Sequence, residues 1–174
     1  TVSNMSSTKA LRDVTEARGQ RYFASAVGEV NVVEKMKQEN AVIGGEGNGG
    51  VIYPELHYGR DALVGIALFL SLLAKSGKTC SALRASYPNY EISKNKMELT
   101  PEMNVDLILE KMAKKYADCE VLTTDGVKIM FKDEWVHLRK SNTEPIIRIY
   151  SESRDMAAAN ALATKIMNEI KQLL

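Results

Sequence analysis

The tripeptide Tyr87-Pro88-Asn89 separates two stretches of sequence with different rhythms. Proline lacks a backbone N–H and disfavours a helical residue before it, so no regular pattern runs through this point. Up to Tyr87, helix-like and strand-like segments alternate. A helix from Thr8 to about Arg18, capped by Ser7 and stopped by Gly19, precedes a strand over Arg21 to Ala26. A helix over Asn31 to Glu39 and a short buried strand at Ala41-Val42-Ile43 follow. A strongly apolar helix from Arg60 to Lys75 and a helical turn from Ser81 to Ser86 complete the first stretch. Such alternation predicts a three-layer α/β domain over residues 1–87. Thr1 to Ser6 are expected to be the tail of a strand whose beginning lies outside the sequence.

After Pro88 the order changes. A strand over Tyr90 to Leu99 leads to Thr100-Pro101, a cap with proline at the first helical position, and a helix to about Ala117. Strand-like segments then gather around the hairpin dipeptide Asp125-Gly126, and an amphipathic helix closes the chain from Asp155. The expectation for 88–174 is an α+β domain of order βαβββα, a four-stranded antiparallel sheet with both helices on one face.

Charges nearly cancel, with 23 Lys and Arg against 22 Asp and Glu, so no global field exists to grip nucleic acid or an anionic membrane. The most apolar run, Ala62 to Ala74, is too short to span a bilayer. Cys80 and Cys119 are too few and too far apart for a metal knuckle or a disulfide framework. The expectation is a soluble, cytoplasmic protein with free thiols, and any anion site in it must be local.

Two segments carry the candidate chemistry. The first, Ile43 to Pro54, holds five of the eleven glycines, and Gly45-x-Gly47-x-x-Gly50 has the spacing of a dinucleotide fingerprint. The context fails, because the loop runs into Val51-Ile52-Tyr53-Pro54 instead of a helix, and Leu70 stands where an acidic residue should meet the ribose. Glu46 would also repel a pyrophosphate. A carboxylate accepts well from neighbouring hydroxyls, so Glu46 with Asn48, flanked by Gly47 and Gly49, forms a candidate polyol reader whose two oxygens take two hydroxyls. A plain flexible turn is the alternative.

The second segment is Arg139 to Arg148, RKSNTEPIIR. Two guanidinium forks frame Ser141, Asn142 and Thr143, a donor set suited to one phosphate dianion. From Pro88 onward there are thirteen Lys and Arg against fourteen Asp and Glu, so the positive surplus belongs to this loop alone. The alternative is a polar hairpin tip with arginines in water.

Together the segments resemble the α-D-phosphohexomutase family of phosphoglucomutase, phosphomannomutase and phosphoglucosamine mutase. That family has a sugar-binding loop GE-x-[SN]-G-[HG] in its third domain and a phosphate-binding loop R-x-S-[GN]-T-E-P-x-x-R in its fourth. Here they stand as Gly45 to Gly50 and Arg139 to Arg148, with lesser echoes at Ser25 to Gly28, Gly59-Arg60-Asp61 and Asp125-Gly126. The resemblance implies the C-terminal half of such an enzyme, which moves a phosphoryl group between carbons 1 and 6 of a hexose through a phosphoserine and a bisphosphate. It implies sugar contacts from Glu46, Gly47, Asn48 and Gly49, and phosphate contacts from Arg139, Ser141, Asn142, Thr143 and Arg148.

The family's phosphoserine loop T-A-S-H-N-P and magnesium loop D-G-D-x-D-R are not in this sequence. No catalytic residue, metal ligand or cofactor is therefore expected within it, and the chain alone is expected to be inactive. Mg2+ is expected in the parent enzyme. The expected partners are a hexose phosphate and the N-terminal domains of the same enzyme, with neither nucleic acid nor membrane. The alternative is a non-catalytic sugar-phosphate-binding module. His57 is expected as a bystander, His137 as sheet packing beside the phosphate loop, and Arg60 and Asp61 as a helix-terminal charge pair.

Overall fold

A computed structural model describes residues 1–174 apart from Pro101, Glu102, Asn142 and Leu174. Pro101 lies outside the described residues, and the helix expected to open at Thr100-Pro101 begins instead at Val105, behind Asn104 as its cap. The chain divides into two compact units, Thr1–Asn89 and Tyr90–Leu174.

In the first unit, strands β1 (Val2–Asn4), β2 (Phe23–Ser25), β3 (Gly44–Gly45), β4 (Val51–Tyr53) and β5 (His57–Arg60) form one sheet in the order β2-β1-β3-β4-β5. The pairs of β1 with β2 and β3 are parallel, and the hairpin partners β3–β4 and β4–β5 are antiparallel. Helices α1 (Ala10–Glu16), α2 (Glu29–Glu39), α3 (Ala62–Ser76) and α4 (Cys80–Ala85) complete the unit. The core is small: Val2, Val32, Met36 and Ile52, with Phe23, Val33 and Ala41 packed around them.

Two local expectations differ from the structure. Ala41-Val42-Ile43 is not the strand; pairing passes to Gly44 and Gly45, and Val42 is exposed. The reason is close packing, since a side chain on Gly44 would collide with Met36 of α2, so glycine is what lets α2 lie on the sheet there. Ser7 does not cap α1, whose N-cap position is Lys9 with no side-chain cap bond; its hydroxyl instead donates to Asn4 Oδ1 at 2.9 Å. The ends of α3 are ordinary ones, with Asp61 accepting from Val64 N at 3.0 Å to start it and Gly77 in the left-handed region ending it.

Helix α3 buries none of its residues, although its sequence, ALVGIALFLSLLAKS, is almost wholly apolar. Leu63, Ile66, Leu68, Phe69, Leu70 and Leu72 are all exposed. Among the described residues no helix is long and apolar enough to cross a membrane.

The second unit holds β6 (Glu91–Glu98), α5 (Val105–Lys115), β7 (Glu120–Leu122), β8 (Val127–Met130), β9 (Trp135–Lys140), β10 (Ile146–Ser153) and α6 (Met156–Gln172). Its sheet has five antiparallel strands, in the order β6-β10-β9-β8-β7, where four were expected. The difference is that the segments on both sides of Asp125-Gly126 and of the turn at Asp133-Glu134 each pair, and β10 additionally crosses to β6, giving βαββββα. Strand alternation sends Val127, Ile129, Val136, Leu138, Ile147 and Ile149 to one face. There they meet Val105, Ile108 and Met112 of α5 and Leu162, Ile166 and Ile170 of α6, so both helices lie on one face of the sheet. Asn104 and Asp155 cap these helices by accepting from Leu107 N at 3.1 Å and Ala158 N at 2.8 Å.

Candidate functional site

The glycine loop is the tip of the β3–β4 hairpin. Gly44 pairs with Ile52 and Gly45 with Val51, and the tip closes through Glu46 N to Gly50 O at 3.1 Å and Gly49 N to Glu46 O at 3.2 Å. A side chain on Gly45 would run into the carbonyl oxygen of Gly50, so the narrow turn needs glycine there. The loop thus continues into a strand, not a helix.

Glu46 is anchored from outside the loop. Its Oε1 accepts from Asn4 Nδ2 at 2.8 Å and from Gly28 N at 3.2 Å, while Asn48 Nδ2 lies 3.5 Å from Oε2. The expectation of two free carboxylate oxygens is corrected accordingly: Oε1 is held by internal donors, and Oε2 is the oxygen turned toward Asn48. Asn48 in turn accepts from Gly50 N at 3.1 Å. Asn4 is buried, and its own oxygen accepts from Ser6 N at 3.0 Å and Ser7 Oγ at 2.9 Å. A cavity of about 230 Å³, lined by Ser3, Ser7, Leu11, Ile43, Glu46 and Val51 among others, opens beside this network. Asn4 carried no recognisable signal in the sequence, because its partner is 42 residues away. Gly28 did carry one, in the Ser25 to Gly28 turn.

Arg60 and Asp61 do not pair with each other. Arg60 donates from Nε to Glu29 Oε2 at 2.7 Å and from its backbone N to Oε1 at 3.1 Å, and Asp61 sits 3.1 Å from His57 Nε2. The aliphatic part of Arg60 lies against Gly50, where a Cβ would come within 2.6 Å of Arg60 Cδ.

In the second unit, β9 and β10 place Arg139 directly opposite Arg148, and β6 places Lys96 directly opposite Arg148 on its other side. Three cationic residues therefore form one row across three neighbouring strands, on the face away from the helices. Like charges in direct cross-strand register repel. The connecting loop folds back through Ser141 N to Ile146 O at 3.0 Å and Ile146 N to Glu144 O at 2.8 Å. Ser141 is buried; its Oγ lies 3.5 Å from Arg148 Nη2, 3.5 Å from Thr143 N and 3.4 Å from Thr143 Oγ1. These contacts stand at the long limit of hydrogen bonding, so the hydroxyls, the amide and the guanidinium lie close together without saturating one another. Arg148 also reaches Glu144 at 3.5 Å, and its buried Nε has no hydrogen-bond partner among the described residues. Asn142, the remaining expected contact, lies outside the described residues. Lys96 was missed by sequence reasoning because strand register is not legible in a Lys94-Asn95-Lys96 alternation.

His137 lies beside this row on the same face. Its ring is buried, and Nε2–H donates to the carbonyl oxygen of Asp125 at 2.6 Å. Burial pushes the imidazole down to about 4 from an ordinary 6.5. A base weakened by folding is protonated first in the unfolded chain, so its contribution to stability is complete above pH 6.5 and falls away as pH drops toward 4. The expected loss over that window is about 3 kcal/mol. Urea unfolding at pH 7 and near pH 4 checks this: the His137→Gln chain should lose less stability between the two than the unaltered chain does.

Among the described residues no three His, Cys, Asp or Glu side chains converge to hold a metal. Cys80 and Cys119 are free thiols.

Residues 1–90 match the family model for the phosphoglucomutase/phosphomannomutase alpha/beta/alpha domain III, and residues 96–169 match that for the C-terminal domain. The chain is 37% identical over 175 residues to a phosphoglucosamine/phosphogalactosamine mutase of Sulfurisphaera tokodaii, covering 99% of this chain and 38% of that protein. It is 36% identical over 173 residues to a phosphoglucomutase/phosphomannomutase of Thermococcus kodakarensis, covering 97% of this chain and 38% of that protein. The crystal structure of a phosphoglucomutase/phosphomannomutase family protein from Burkholderia thailandensis has the same fold, with a TM-score of 0.75 at 24% identity over 97% of this chain and 36% of that one. The chain thus spans about 38% of the length of the curated relatives it matches. On both halves of its length, it belongs to the phosphoglucomutase/phosphomannomutase family, of which it carries domain III and the C-terminal domain.

Proposed function

We propose that this chain is the substrate-recognition half of a phosphohexomutase, an enzyme that interconverts hexose 1-phosphate and hexose 6-phosphate through a phosphoserine and a bisphosphate intermediate. The observation that carries the reading is the direct register of Arg139 and Arg148 beside Ser141 and Thr143. Two opposed guanidinium groups repel, and a dianion between them turns that repulsion into charge-assisted attraction. Glu46 and Asn48, at a glycine-walled hairpin tip, take sugar hydroxyls through Glu46 Oε2 and the Asn48 amide. Gly47 and Gly49 leave room for the ring to approach the backbone.

In this reading the reacting serine and the Mg2+ ligands belong to other domains of the full-length enzyme, and the chain by itself binds without turnover. The exposed apolar length of α3 supports partners of that kind over a free-standing binding module, since a surface of six large apolar side chains on one helix needs cover. Two free thiols suit a reducing, cytoplasmic setting.

The test is to titrate the chain with glucose 1,6-bisphosphate and follow backbone amides by NMR. Ser141 and Thr143 should shift along one saturation curve, with Asn48 and Gly49 following if sugar and phosphate are read together. No movement at Ser141 and Thr143 at millimolar ligand would overturn the phosphate assignment.

A further inference from the structure

We infer that the Asp125-Gly126 turn, tied down by His137, is a positioning element that aims the Arg139 guanidinium into the phosphate cradle. The inference rests on the phosphate-binding role proposed above for Arg139, and it gives work to residues of the β7–β8 turn and of β9 that make no part of the Arg139 to Arg148 motif.

Three independent contacts clamp the turn onto the strand that carries Arg139. Asp125 Oδ2 lies 3.7 Å from Arg139 Nη1. His137, two residues before Arg139 on the same face of β9, donates from Nε2 to the Asp125 carbonyl oxygen at 2.6 Å. Gly126 has φ +71, and a Cβ there would strike the carbonyl oxygen of Leu138 and come 3.0 Å from Arg139 Cα. The turn therefore presses its backbone against the strand at the residue next to the arginine, an approach only glycine permits.

The ion pair is long, and both side chains keep about a fifth of their surface, 22% and 21%, so it contributes little to stability as such. Its effect is directional. Arg139 and Arg148 stand in direct register, and a carboxylate on the outer side of Arg139 offsets their repulsion while no anion is bound. A dianion then outcompetes a single carboxylate held at that distance, and the guanidinium is already on the correct side of the strand when it arrives. His137 is 2% exposed, so it has no surface with which to meet a ligand and acts through the turn that it holds.

The experiment is a double-mutant cycle on the 174-residue chain, with glucose 1,6-bisphosphate as the probe and dissociation constants measured by NMR titration. His137→Leu removes the donor without changing net charge at neutral pH. It should weaken binding about three- to tenfold, within the lower part of the coupling seen between residues of one network, and have no further effect in an Arg139→Gln background. An equal loss in both backgrounds would mean that His137 serves the fold alone and would overturn the inference. Should His137→Leu fail to fold, the unaltered chain still decides: the Gly126 amide and the Arg139 Nε–H resonance should shift on the same curve as Ser141. A stationary Gly126 and Arg139 with a moving Ser141 overturn the positioning role and leave the phosphate reading intact, whereas a stationary Ser141 overturns that reading instead.

Discussion

Replacing Arg148 with alanine should weaken binding of glucose 1,6-bisphosphate by at least about thirtyfold, corresponding to the 2–5 kcal/mol typical of truncating one side of a buried charge-assisted contact. Arg148 is the middle member of the cationic row, flanked in register by Lys96 and Arg139, and its Nη2 lies 3.5 Å from both Ser141 Oγ and Glu144 Oε2. Alanine removes the centre of the row and leaves the loop backbone in place, because Ser141 N and Ile146 N bond to main-chain oxygens. Thermal stability should stay the same or rise slightly, since the middle one of three like charges in register is gone. Arg148→Lys should fall between, keeping the charge but losing the planar fork. Calorimetric titration of the three chains, with melting curves alongside, checks both halves of the expectation. A dissociation constant unchanged in Arg148→Ala would mean that the opposed arginines do not hold the phosphate.

Trp135→Ala carries the largest expected cost to the fold, about 3–5 kcal/mol for emptying a fully buried tryptophan site. Trp135 has no exposed surface, donates from Nε1 to Glu152 Oε1 at 2.6 Å, and lies under the Lys128 ammonium at 3.9 Å from the ring centroid. Lys128 and Glu152 are themselves buried, so the indole serves as hydrogen-bond donor to the carboxyl group and as a π-face for the amine-bearing side chain. Alanine removes both services and leaves a cavity. Trp135→Phe keeps an aromatic face but loses the N–H and part of the buried ring volume, for about 1–3 kcal/mol. Because the chain has a single tryptophan, the unfolding of these variants must be followed by circular dichroism in urea and not by fluorescence. Equal costs for alanine and phenylalanine would show that the ring face contributes nothing.

The strands and helices of both units were legible to within a few residues wherever hydrophobic period and turn chemistry agreed, as in α3 between Asp61 and Gly77 or the hairpin at Asp125-Gly126. Reading failed where a long-range contact overrode the local signal. Ala41-Val42-Ile43 is the more strand-like tripeptide, yet α2 packs so closely that the two glycines after it take the place in the sheet. Ser7 is a good cap by type, but the buried Asn4 claims its hydroxyl. In the second sheet the strand segments themselves were legible, and only their number, expected as four, was wrong.

The same line divides the candidate site. The two loops, their residue types and the family they mark were determined by the sequence alone, because a motif of adjacent residues needs no partner to be recognised. Only the tertiary structure decided that Arg139 faces Arg148 with Lys96 beyond it, that Asn4 and Gly28 hold Glu46 by one oxygen, and that the apolar face of α3 stands uncovered. Each of these is a meeting of residues distant in the chain, set by strand register and burial. Register slips by whole residues without changing the local pattern, so no local reading can supply it.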